Sequence, residues 1–109
     1  MTITYNGLTL EYDICEAANL RKYNDALKEM ERMKASAIGI SDPAEIIEKY
    51  CGYIFRFIDV LYGEGTHIKL FGDSVNIRKT TEVYRMIIEA IKKESEEFNS
   101  DLKSFVNSI

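Results

Sequence analysis

The polar and apolar positions along the chain change period once, early. Through residue 13 they alternate: Ile3 and Tyr5 against Thr2, Thr4 and Asn6, then Leu8, Leu10 and Tyr12 against Thr9, Glu11 and Asp13. A period of two marks half-buried strands. Asn6-Gly7 between the two runs tolerates the positive φ values of a type I′ turn, so the pattern predicts a β-hairpin over residues 1–13. From Ile14 the apolar steps become three and four, through Ala17, Leu20, Tyr23, Leu27, Met30, Met33 and Ala37, with Lys28, Glu29, Glu31, Arg32 and Lys34 on the other side. This is one helical face, and it predicts a helix over 14–38, capped by Asp13 and ended by Gly39. A second helix, over 42–62, opens on Asp42 as cap, Pro43 at the first helical position and Glu45 at the third. Its apolar residues Ile46, Ile47, Tyr50, Cys51, Ile54, Phe57, Ile58 and Leu61, widened by Tyr53, Phe55 and Val60, cover more than one face, which suits a central helix. A short helical connector over 66–71, opened by Thr66, would bury Ile68, Leu70 or Phe71.

The last helix, over 76–107, carries Ile77, Thr81, Tyr84, Ile88, Ile91, Ser95, Phe98, Leu102, Phe105 and Ile109 along one side. Unbroken, it would run about 50 Å at 1.5 Å per residue, more than a domain of this size needs. Either it bends near Asn99-Ser100 or its far end packs on another molecule. The fold class that follows is mainly α (α+β): an N-terminal β-hairpin, then a three- to four-helix bundle, as a single domain over 1–109. Two surfaces have more apolar character than the bundle uses. One is the hairpin, whose edges can pair with another strand. The other is the end of the last helix, where Phe98, Leu102, Phe105 and Val106 are candidate partner-binding residues, with ordinary core packing as the alternative.

Composition narrows the function classes. The net charge is −4 and the pI near 5.0, with basic residues interleaved among acidic ones, which argues against nucleic acid as a partner. No run approaches the roughly 20 apolar residues of a membrane span, and the opening Met1-Thr2-Ile3-Thr4-Tyr5 lacks the pattern of a signal peptide. The expected location is the cytoplasm, where Cys15 and Cys51 remain free thiols.

The residues offer little for chemistry. His67 is the only histidine, and on a connector it reads as a solvated surface residue; Glu64 and Asp73 are its neighbours in sequence and form no acid–base pattern with it. Two cysteines and one histidine without a closely spaced pair do not make a zinc site. Gly63-Glu64-Gly65 lacks the length and the Lys-Ser or Lys-Thr of a phosphate loop and reads as a helix end. Glu94, Glu96 and Glu97 read as a solvated helix face. Seven tyrosines fit either the edge of a core or a contact surface. No catalytic, cofactor-binding or metal-binding residue is assigned, and the chain is expected to be no enzyme.

One resemblance adds a function to this reading. The opening Thr2-Ile3-Thr4-Tyr5-Asn6-Gly7-Leu8-Thr9-Leu10-Glu11-Tyr12-Asp13, the stretch Phe57-Ile58-Asp59-Val60-Leu61-Tyr62-Gly63-Glu64-Gly65 and the following Leu70-Phe71-Gly72-Asp73 occur in the order hairpin, long helix, apolar helix, connector, closing helix. In this the chain resembles the tail assembly chaperones of tailed phages and prophages of Gram-positive bacteria. The resemblance implies a non-enzymatic binding protein of the bacterial host cytoplasm. It would coat the tape-measure protein before tail polymerisation and help recruit the tail-tube protein. The alternative is a helical, dimeric regulatory or interaction module of a prophage or mobile element, motivated by the long final helix; a homo-oligomer is compatible with both.

Overall fold

A computed structural model describes residues 1–109. Strands β1 (Thr2–Tyr5) and β2 (Leu8–Glu11) form a two-stranded antiparallel hairpin, followed by α1 (Ala17–Ser36), α2 (Pro43–Tyr62), α3 (Thr66–Phe71) and α4 (Ile77–Ser108). Mainly helical with a small β element, this is the expected architecture. Asn6 and Gly7 have φ of 49° and 78°, as a type I′ turn requires. The register sets Ile3 opposite Leu10 and Tyr5 opposite Leu8, so one face is apolar; Thr4 opposite Thr9 lies on the outer face, their hydroxyls 3.2 Å apart. Ile3 and Leu10 are buried in the main core, with β1 against α4, so the hairpin closes the helical body and its edges stay unpaired by any third strand.

The body is organised around α2, which packs against α1, α3 and α4. Its Cys51, Ile54, Phe57, Ile58 and Leu61 are buried, whereas α1 fully buries only Tyr23 and Ala26. The Phe57 ring contacts Tyr23 of α1 edge-on (centroids 6.3 Å apart) and Tyr84 of α4 (5.1 Å), so one side chain joins three helices. From α4, Thr80, Val83, Ile87 and Ile91 close the core.

The first helix departs from the sequence reading at both ends: it stops at Ser36 with Ala37 as its C-cap, short of the expected end at Gly39, and it starts late. Asp13 does not cap α1: its carboxylate accepts from Cys15 N at 2.9 Å and shapes a turn, while α1 begins at Ala17 after Glu16, which makes no side-chain cap bond. The turn is fixed because Tyr12 is buried and donates its hydroxyl to the Asn19 carbonyl, and Asn19 Nδ2 donates to the Asp13 carbonyl. Buried Ile14 belongs to this turn and not to the helix. Of the two alternatives left open for the last helix, no break falls at Asn99-Ser100: α4 is a continuous helix of 32 residues, about 48 Å at 1.5 Å per residue. Its start is capped by Asn76, whose side chain accepts from Lys79 N at 3.1 Å. Asp42 caps α2, accepting weakly from Ala44 N at 3.4 Å.

Thr80 Oγ1 is buried without a hydrogen-bond partner. Thr80→Val keeps the shape and removes a desolvated hydroxyl, so it should raise stability by about 1 kcal/mol, read as a higher urea midpoint at unchanged slope. A lowered midpoint would show that the hydroxyl is bonded in solution. Burial also pushes the phenols of Tyr12, Tyr23, Tyr62 and Tyr84 above their ordinary pKa of 10.0, furthest at Tyr62, where Tyr12 adds to the effect. A pKa raised in the folded state favours folding fully below the unfolded value and is lost as pH rises through the folded one. Stability should therefore be independent of these groups below pH 10 and fall above it. Phenolate absorbance of the native protein should lag that of the denatured protein; coincident titrations would contradict the burial.

Candidate partner-binding surface

The body ends before the last helix does. Phe98 is half-buried and packs against the core, and every residue from Asn99 to Ile109 is exposed. Ten of them, Asn99 to Ser108, extend the helix about 15 Å beyond its support. The overhang explains the elongated molecule, 56 × 33 × 20 Å, with a radius of gyration of 15.8 Å against about 13 Å for a compact chain of this length. Leu102, Phe105, Val106 and Ile109 are 45, 70, 62 and 103 % exposed. At 100° per residue they share the side of α4 that carries Thr80, Val83, Ile87 and Ile91 within the body. The core-facing stripe thus continues past the core with nothing against it. Of the four sequence-proposed contact residues, Leu102, Phe105 and Val106 lie on this free surface, while Phe98 sits at the body's edge. The other exposed aliphatics, Ile38, Val60, Ile68 and Val75, are separated from one another in sequence and form no comparable helical stripe.

A second concave surface lies on the body. A groove open to solvent is lined by Leu27 and Met30 of α1, Tyr50, Tyr53 and Ile54 of α2, and Tyr84 of α4, with Glu31, Lys34 and Thr81 at its polar positions. Tyr50 and Tyr53 meet edge-on, 5.9 Å apart. Sequence alone left these tyrosines between core and surface; they are half-buried, with part of each ring in the groove wall.

The chemistry-bearing side chains serve other ends. His67 is not a free surface residue: its partner is Asp59 on α2, with Nδ1 2.7 Å from Oδ2, while its backbone N–H donates to Oδ1 at 2.9 Å. Its ring stacks on Phe55, centroids 4.6 Å apart and 16° from parallel, and Phe55 also touches Phe71. The carboxylate of one helix therefore caps the next, where Gly65 offers no side-chain cap. This pairing crosses a helix end at a spacing of eight, which no periodicity announces. Cys15 is exposed and Cys51 buried, both free. Partial desolvation, then the carboxylates of Asp13 and Glu94, push the Cys15 thiol pKa up although the side chain is exposed, which disfavours thiolate. Glu94 is not simply solvated: its carboxylate is 2.6 Å from the Met1 ammonium, which also donates to the Tyr12 carbonyl at 2.7 Å. No three His, Cys, Asp or Glu side chains are placed to hold a metal ion, and no helix is long and apolar enough to cross a membrane.

If the overhang is a free surface, polar replacement there leaves the fold intact. Phe105→Asp should change stability by no more than about 0.5 kcal/mol, whereas Ile87→Ala should cost about 2–5 kcal/mol, both from urea denaturation. A large loss for Phe105→Asp would show the residue packed against the body.

The chain belongs to the family of unknown function DUF6673, which matches residues 6–108. No curated protein and no solved structure matches it.

Proposed function

We propose that the chain is a non-enzymatic tail assembly chaperone of a tailed phage or prophage, binding the tape-measure protein and assisting tail-tube assembly. The observation that carries this reading is the overhang of α4, a preformed helix with Leu102, Phe105, Val106 and Ile109 free along one side. An amphipathic helix lays such a face against another apolar surface, and a long helical protein offers many of them. The groove between α1, α2 and α4 adds a second apolar contact region rimmed by Glu31 and Lys34. The ordered resemblance of the hairpin, apolar helix and connector to tail chaperones supplies the specific partner. The only histidine is engaged in holding α3, which fits a protein that binds and does not react.

Co-expression tests the reading. A tape-measure segment should co-purify with this chain and stay soluble, an unrelated coiled coil should not, and Phe105→Asp should reduce capture about tenfold or more, as loss of a buried aromatic anchor does. Equal capture of both helical proteins would remove the proposal. A stable dimer that shifts operator DNA would instead favour the regulatory module.

A further inference from the structure

Asn6 stands in chemical surroundings that no other asparagine of the chain shares. It alone is followed by glycine. Asn24, Asn99 and Asn107 lie within α1 and α4, where the next residue's N–H is bound into the helix. Asn19 donates its amide to the Asp13 carbonyl and is followed by Leu20, whose N–H is bonded to the Glu16 carbonyl at 3.1 Å. Asn76 accepts from Lys79 N and is followed by β-branched Ile77. Asn6 and Gly7 instead form the exposed tip of the hairpin. The Tyr5–Leu8 pair closes the turn, so the Gly7 N–H stays outside the strand ladder. The space around Gly7 is open too: nothing lies within 4 Å of where a Cβ on it would stand.

The amide carbon of an asparagine and the next backbone nitrogen are spaced to close a five-membered ring. We infer that Asn6 is a modification site, converted by spontaneous deamidation to aspartate and isoaspartate, and that isoaspartate loosens the hairpin from the helical body. Solvent hydroxide removes the Gly7 amide proton, and the nitrogen attacks Asn6 Cγ. The Cγ–Nδ2 bond breaks and ammonia leaves, giving a succinimide. Water then opens the ring at either carbonyl, so the net change is amide plus water to carboxylate plus ammonium.

Opening at the former main-chain carbonyl leaves the backbone running through Cβ and Cγ, one methylene longer. In a hairpin the turn type and loop length fix the register, and a two-residue type I′ turn has no place for the insertion. The Tyr5–Leu8 pairing gives way first, and Ile3 and Leu10 lose the register that buries them. The closed turn also sets the rate. Ring closure needs rotation about the Asn6 Cα–C bond, so it proceeds through brief openings of the tip, the end of a marginal two-stranded element.

The test ages the full chain at mildly alkaline pH, folded and in guanidinium chloride, with Asn6→Gly as control. A Gly-Gly pair keeps the type I′ turn and removes the amide. Peptide mapping by mass spectrometry should place the amide-to-acid mass change at Asn6, and isoaspartyl methyltransferase should methylate the aged chain. The folded chain should react about tenfold more slowly than the denatured one, since the tip must open first. The isoaspartate form should show a lower urea midpoint than the fresh chain, and aged Asn6→Gly should keep its midpoint. Conversion at a different asparagine, no conversion in the folded chain, or methylation of aged Asn6→Gly would overturn the site. An unchanged midpoint for the isoaspartate form would refute its effect on the hairpin.

Discussion

Burial of α2 is the constraint on which the remaining structure depends. Each large apolar side chain removed from water contributes about 1.5–3 kcal/mol, and α2 alone buries Ile54, Phe57, Ile58 and Leu61 together with Cys51. Neither the hairpin nor α1 could stand alone. A two-stranded hairpin is marginal in water, and α1 fully buries only two side chains, one of which, Tyr23, rests on Phe57. The exposed ion pair between Arg56 and Glu29, at 3.0 Å, adds at most about 1 kcal/mol to the α1–α2 contact. Apolar contact therefore decides where α1 lies.

The clasp between Asp59 and His67 shows how polar groups finish what apolar packing begins. The chain reverses sharply after Tyr62 through Gly63 at φ 112° and Gly65 at φ 87°, conformations that glycine adopts without steric cost. A helix of six residues has no stability of its own. Asp59 holds its first turn by main chain and side chain, Phe55 covers the imidazole, and Leu70 is buried beneath. The same arrangement explains why the lone histidine is half-buried and engaged.

The overhang of α4 is physically possible because the helix is nucleated elsewhere. Ten residues alone would not form a stable helix, but extending one already fixed by Thr80, Val83, Ile87 and Ile91 costs far less per residue. A partner meeting this surface then finds a formed helix and pays less ordering entropy on binding. The free apolar stripe and the extended helix are thus two aspects of one feature, which connects the fold to the proposed binding role.

Much of this was written locally in the chain. The change of period at residue 13, Asn6-Gly7, Pro43 after Asp42 and the glycine after Tyr62 each act within a few residues, and the hairpin, α2, α3 and the span of α4 follow from them. The apolar positions of the final stripe were legible for the same reason. Which of them the body covers was not, because that depends on where α2 and the hairpin end in space; only the tertiary structure separates half-buried Phe98 from exposed Leu102, Phe105 and Val106. The start of α1 was misplaced by three residues, since Asp13 satisfies a turn held by buried Tyr12 and a local cap signal does not register that burial. The partner of His67 was hidden too, because the chain reversal after α2 brings Asp59 to it and the sequence neighbours Glu64 and Asp73 do not meet it. Sequence determined the periodic elements and their apolar faces; tertiary packing decided which faces were used and which was left free.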